Sequence, residues 1–92
     1  AAVVRARNLD AAIASHNSTD MGLLGALFSN DVGAQARFLA EAQAGILSIG
    51  KARPPFAADG PFTGWKASGY GVPEHGRWNR DFYSRAQASY GY

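Results

Sequence analysis

Leu23-Leu24-Gly25-Ala26-Leu27-Phe28 and Ile46-Leu47-Ser48-Ile49 bracket the stretch Asn30-Asp31-Val32-Gly33-Ala34-Gln35-Ala36-Arg37-Phe38-Leu39-Ala40-Glu41. Each outer piece is short and apolar on both faces, as strands buried on both sides of a parallel sheet are. In the middle piece Asn30 or Asp31 can cap a helix, with Val32, Ala36, Leu39 and Ala40 on one stripe and Gly45 as its stop. A strand, a helix and a strand joined this tightly imply parallel pairing with a right-handed crossover. The fold class is therefore α/β.

Upstream, residues 2–5 (Ala-Val-Val-Arg) have the composition of a strand end. Asn8 is a good N-cap, and Asp10 falls in the first turn, where the helix dipole favours negative charge. Leu9, Ala12, Ile13 and His16 then recur at helical spacing as far as about Asn17. His16 reads as a helix-end residue. Residues 1–50 thus make a β-α-β-α-β part.

Downstream the character changes. All four prolines lie between positions 54 and 73, among Gly60, Gly64, Gly69 and Gly71. Phe56, Phe62, Trp65 and Tyr70 occur in residues 51–75 without helical or strand periodicity, so this is read as one long loop. A short helix begins near Pro73-Glu74, with Trp78 and Phe82 as i, i+4 partners. Arg85-Ala86-Gln87-Ala88-Ser89-Tyr90 alternates polar with apolar, as a half-buried strand does. It has no hairpin partner nearby and must pair with something distant or with another chain.

Composition narrows the function. The chain has 92 residues, 47% of them apolar and 17% charged, which excludes intrinsic disorder. Its net charge of +2 comes from few acids and not from a dense basic patch, so nucleic acid is not the expected partner. There is no cysteine, hence no disulfide, thiolate metal site or cysteine nucleophile. No apolar run approaches the roughly 20 residues of a membrane span. Ala1-Ala2-Val3-Val4 shows no initiator Met, basic leader or cleavage pattern, and reads as a chain entered in mid-strand. The expected location is the cytoplasm. A compact fold of this mass would expose about 5,100 Å², and even that compaction only offsets the cost of ordering. The expectation is a part of a larger body.

Several motifs fail on context. Gly45-Ile46-Leu47-Ser48-Ile49-Gly50-Lys51 has phosphate-loop spacing, but its interior is a strand, Ala52 replaces the metal-binding hydroxyl and Pro54-Pro55 forbids the helix. Gly69-Tyr70-Gly71 lacks the third glycine of a dinucleotide fingerprint. Glu41, four residues after Arg37, and Glu74 at a helix start are explained by a solvated helix face and a favourable dipole position. His75 has no second histidine or cysteine to make a metal site. Arg77, Arg80 and Arg85, interleaved with Trp78, Phe82 and Tyr83, fit an amphipathic helix with outward arginines.

What remains is Pro61-Phe62-Thr63-Gly64-Trp65-Lys66-Ala67-Ser68-Gly69-Tyr70-Gly71, which resembles the P-F-G-G-x-K-x-S-G-x-G segment near the C-terminal end of aldehyde dehydrogenases. Asp81-Phe82-Tyr83-Ser84-Arg85 is similar to that family's entry into its last strand. Val3-Val4-Arg5 with Asn8-Leu9-Asp10-Ala11-Ala12-Ile13 resembles its strand and D-L-D-E-A-I helix. Met21-Gly22-Leu23, Phe28-Ser29-Asn30-Asp31 and Ala44-Gly45-Ile46-Leu47-Ser48-Ile49 are similar to further family segments, in family order. Two positions depart from the pattern: Thr63 stands for a glycine and Gly50 for a common asparagine.

The resemblance implies a C-terminal fragment of an aldehyde dehydrogenase catalytic domain over residues 1–92. Residues 1–50 would be its βαβαβ part, 51–75 a substrate-tunnel loop, and 76–92 a short helix and oligomerisation strand. The parent enzyme oxidises an aldehyde to a carboxylate with NAD or NADP, through a cysteine thiolate and an oxyanion that needs donors. Its nucleophile, general base, cofactor domain and E-x-F-G-P segment would precede Ala1, so the resemblance assigns no catalytic, cofactor-binding or metal residue here and implies that the 92 residues alone are inactive. It implies substrate contact by Phe62 and Phe56, a loop shaped by Pro61, Gly64, Ser68 and Gly69, and a homo-oligomer completed through residues 84–90. The competing reading is a non-enzymatic interaction module that pairs through its C-terminal strand.

Overall fold

A computed structural model of the chain describes residues 1–50 and 57–91. Helix α1 spans Leu9–Asn17, strand β1 Met21–Gly22, β2 Leu24–Leu27, helix α2 Val32–Glu41, β3 Ile46–Ile49 and β4 Trp65–Lys66; a 3₁₀ turn over Gly76–Trp78 leads into helix α3, Asn79–Phe82. Strands β2 and β3 pair in parallel, Leu24 opposite Ile46 through Leu27 opposite Ile49, with α2 between them in sequence. The β-α-β unit stands, and the architecture is a partial α/β domain.

Both long helices start where their side chains cap them. Asn8 Oδ1 accepts from the Ala11 amide at 2.9 Å. Asp31 Oδ1 accepts from Gly33 at 2.8 Å and Ala34 at 3.3 Å, which decides between the two candidate caps. The helices are tied at their ends. Asn17 donates through its side-chain amide to the Glu41 carbonyl at 2.9 Å and accepts from the Gln43 amide at 2.8 Å. Arg37 reaches Asp10 at 2.6 Å and Glu41 at 3.0 Å. Hydrogen bonding to Asp10 first, then to Glu41, raises the Arg37 guanidinium above its ordinary pKa. All three groups stay largely in water, so this cluster orients more than it stabilises.

The buried stripe of α2 differs from the expected one. Phe38, 5% exposed, faces α1 and packs on the His16 ring with centroids 6.0 Å apart. Val32 at 76% and Leu39 at 54% look outward, with Ala36 and Ala40. The helix is apolar on two sides, and the side carrying the aromatic wins because one ring removes more area from water than several alanines. His16 is turned inward too. Its Nε2 is buried without a hydrogen-bond partner among the described residues, so it fills the interhelical space.

Other expectations are corrected. Gly45 is not the helix stop: α2 ends at Glu41, and Ala42 turns extended while its amide still bonds the Phe38 carbonyl at 2.9 Å. Gly45 is instead where the Thr63 carbonyl lies so close that any Cβ would overlap it. The β2–β3 ribbon is not buried on both sides: Gly25 is covered, whereas Leu24 and Ala26 on the opposite face are exposed. Residues 2–5 and 84–90 form no strand; both stretches are exposed, and each lacks a ladder partner among the described residues. An unpaired strand has no bonds to define it. The short helix starts two residues later than expected, as a 3₁₀ turn at Gly76.

The core is correspondingly thin: Ile13, Phe38, Ala42 and Ala44, with Ser48 beside them. The chain exposes 7515 Å², well above the roughly 5,100 Å² of a compact fold of this mass. Its radius of gyration is 17.1 Å, against about 12 Å for a globule of this length.

Candidate functional site

The long loop is not featureless. Its middle forms β4, which pairs antiparallel with β1, Met21 opposite Lys66 and Gly22 opposite Trp65. Further ties fasten it to the turn after α1. The Ala67 amide donates to the Asp20 carbonyl at 2.9 Å, and the Gly22 amide donates to Ser68 Oγ at 2.9 Å. Lys66 Nζ donates to the main-chain carbonyls of Asn17 at 2.8 Å and Thr19 at 2.9 Å. A second closure brings the loop's ends together: the Phe62 amide donates to the Glu74 carbonyl at 2.9 Å, and the Glu74 amide returns to the Phe62 carbonyl at 3.2 Å. The result is an arch over residues 62–74, closed at its feet and docked through its crown.

The expected site residues that are described fall on this arch or beside it. Phe56 lies outside the described residues. Phe62 stands at the arch's foot, half-buried, with its ring 5.4 Å from that of His75. Pro61 precedes it at the surface. Gly64 and Gly69 face each other across the crown: a Cβ on Gly69 would overlap the Gly64 carbonyl, and one on Gly64 would overlap the Ser68 carbonyl. Ser68 is the hydroxyl that receives Gly22. Ligand-type clusters are absent: no group of three or more His, Cys, Asp or Glu side chains among the described residues could hold a metal.

Two features escaped sequence reasoning. Lys66 and His75 take φ of +51° and +79°, the left-handed region that residues with a Cβ avoid. Asn79 Oδ1 accepts from the His75 amide at 2.6 Å and holds that turn. Neither conformation carries a local signature, because neither residue is the glycine that such a turn usually advertises.

The sequence pattern of the Aldehyde dehydrogenase family matches residues 1–89. The chain belongs to the aldehyde dehydrogenase family. It is 34% identical over 84 residues to malonate-semialdehyde dehydrogenase 1 of Shouchella clausii (strain KSM-K16), covering 90% of this chain and 17% of that protein. It is 37% identical over 84 residues to malonate-semialdehyde dehydrogenase 2 of Geobacillus thermodenitrificans (strain NG80-2), again with 90% and 17% covered. Among solved structures, betaine aldehyde dehydrogenase from Staphylococcus aureus in complex with NAD+ superposes with a TM-score of 0.75 at 32% identity, over 83% of this chain and 15% of that one. HpcC from Thermus thermophilus shares the fold with a TM-score of 0.78 at 24% identity, over 94% of this chain and 18% of that one.

The chain therefore spans about 17% of the length of the curated aldehyde dehydrogenases it matches. The docked arch carries most of the segment Pro61–Gly71 singled out in the sequence, and the carbonyl of its Thr63 lies against Gly45. No helix among the described residues is long and apolar enough to cross a membrane.

Proposed function

We propose that these residues serve an NAD(P)-dependent aldehyde dehydrogenase that oxidises an aldehyde to a carboxylate, to which they contribute one wall of the substrate tunnel. The observation that carries this reading is the arch: it holds Phe62 at a fixed foot and is fastened to the α/β unit at Asn17, Thr19, Asp20, Met21 and Gly22. A rigid apolar wall excludes water and selects substrate shape. In this division residues 1–50 are the α/β support, 51–75 the tunnel loop, to which we assign Phe62 and Phe56 as substrate-binding residues, and 76–92 the short helix and oligomerisation segment. Pro61, Gly64, Ser68 and Gly69 give the loop its path.

The nicotinamide cofactor accepts the hydride when bound. Gly69-Tyr70-Gly71 has no third glycine and opens no helix, and we assign the cofactor to other parts of the enzyme. The enzyme is assigned to the cytoplasm.

For substrate we infer a short aldehyde bearing a carboxylate, on the ground that the two curated relatives above are named for malonate semialdehyde. The full-length enzyme carrying this segment is expected to reduce NAD(P) with malonate semialdehyde at a kcat/KM at least about tenfold above that for betaine aldehyde, a modest discrimination for a shaped pocket. Absence of aldehyde-dependent NAD(P)H formation would remove the enzymatic reading. A reversed preference would remove the substrate class and leave the rest.

Residues 84–90 are assigned to a second subunit. They are exposed, Tyr90 at 95%, and without a ladder partner among the described residues, so their backbone is open to pairing with another chain's strand. Deleting residues 84–92 from the full-length enzyme is expected to shift its mass in light scattering to a smaller oligomer or monomer; an unchanged mass would locate the interface elsewhere.

A further inference from the structure

We propose that Lys66 is a positioning residue for the substrate loop: its ammonium, gripped by the Asn17 and Thr19 carbonyls, sets where the arch and Phe62 stand. The inference rests on the reading of Phe62 as tunnel wall given above. It adds a residue whose side chain acts through others and does not touch substrate.

Three observations converge on Lys66. First, its Nζ bonds two carbonyls, 2.8 and 2.9 Å away and nearly fifty residues earlier in the chain. Hydrogen bonds from an ammonium are shorter and stronger than neutral ones. Asn17 is the last residue of α1, so the cation also meets the negative end of that helix. Second, Asn17 is itself immobilised, because its side chain holds the Glu41 carbonyl and the Gln43 amide at the end of α2. Lys66 therefore grips a point fixed by both helices, and among the described residues it has no carboxylate partner to compete.

Third, the Lys66 backbone sits at φ +51°. A glycine adopts that conformation without strain, and what a glycine lacks is the ammonium. Unfavoured backbone in a residue with a Cβ persists only where the surroundings over-determine it. Here they do so through the pairing with Met21 and the two side-chain bonds. The closure between Phe62 and Glu74 lies within the loop and cannot hold it against the rest. The hydrogen-bonded attachment is made at 65–68, three to six residues from Phe62, and Lys66 supplies its side-chain part, so freeing Lys66 lets the aromatic drift.

The test uses the full-length enzyme with Lys66→Met, Lys66→Gly and Lys66→Arg. Loss of the charge-assisted bonds is expected to raise the aldehyde KM about tenfold in the Met and Gly variants, more than it lowers kcat. The kcat/KM ratio between a short and a longer aldehyde should shift with it, which mere loss of folded enzyme would not cause. Arg, which keeps the charge and the donors, should recover to within about threefold of the parent. Amide hydrogen exchange at Ala67 and Ser68 should quicken in Met and Gly and slow again in Arg, and this readout stands even if no aldehyde is oxidised. A Met variant with parental KM, ratio and exchange would overturn the assignment. So would a Gly variant that behaves as the parent, since backbone strain and not the ammonium would then matter.

Discussion

Made as a separate 92-residue polypeptide, the chain is expected to show no cooperative thermal unfolding and no aldehyde-dependent reduction of NAD(P). The reason is area. The structure leaves 7515 Å² exposed, about 2,400 Å² beyond a compact fold of the same mass. If about 60% of that excess is apolar, the burial forgone is about 35 kcal/mol. Net stabilities of whole domains are only about 5–15 kcal/mol, so a deficit of this size cannot be absorbed by better caps or surface ion pairs. The exposed groups are also the wrong kind for a free surface: Phe28 at 64% is joined by Met21, Leu23, Leu24 and Trp65, all exposed on or beside the small sheets. Calorimetry or circular dichroism on the isolated chain decides the matter. A sharp transition with a substantial unfolding enthalpy would show that the thin core of Ile13, Phe38, Ala42 and Ala44 suffices after all.

Local chemistry made the first half of the chain legible, and distance hid the rest. The caps at Asn8 and Asp31 and the parallel pairing of Leu24–Leu27 with Ile46–Ile49 follow from residues a few positions apart, whose signals survive in any context. The stripe of α2 was not legible, since Val32, Ala36, Leu39 and Ala40 have the same helical spacing as a buried face. Only the placement of α1 shows that Phe38 is the residue covered. The loop was harder still. Its pairing with β1 and its ties to Asn17, Thr19, Asp20 and Gly22 each span more than forty residues. No periodicity encodes such contacts. Thus Gly64, Ser68 and Gly69 were recognisable through family resemblance, while Lys66, in the same motif, showed its partners only in three dimensions. Residues 2–5 and 84–90 illustrate the converse: a strand end's composition in the first and alternation in the second are visible in sequence, yet neither stretch finds a ladder partner among the described residues.

Gly69→Ala in the full-length enzyme should cost about a hundredfold in kcat/KM, the scale at which a displacement of roughly 1 Å at a positioned group is felt. The Cβ of alanine would overlap the Gly64 carbonyl, and the obstacle is backbone, so no side-chain rotation relieves it. A Cβ on Gly64 would in turn overlap the Ser68 carbonyl, so the backbone approach across the crown is close at both glycines. Overpacking a tight contact costs about 1–3 kcal/mol when neighbours can shift and more when they cannot. The relief open to the loop is to lift the crown off the turn after α1, breaking the Ser68–Gly22 and Ala67–Asp20 bonds and carrying Phe62 with it. Gly60→Ala is the matched control. A Cβ there would meet Ala57 atoms at 3.6 and 3.8 Å, ordinary van der Waals contact, and near-parental kinetics are expected. If both variants lose activity equally, the loop is sensitive to any added methyl and the close approach of Gly69 to Gly64 is not the cause. If Gly69→Ala retains parental kcat/KM with the enzyme's melting temperature unchanged, the crown is softer than its backbone contacts imply, and Phe62 owes its position to something other than the docked arch.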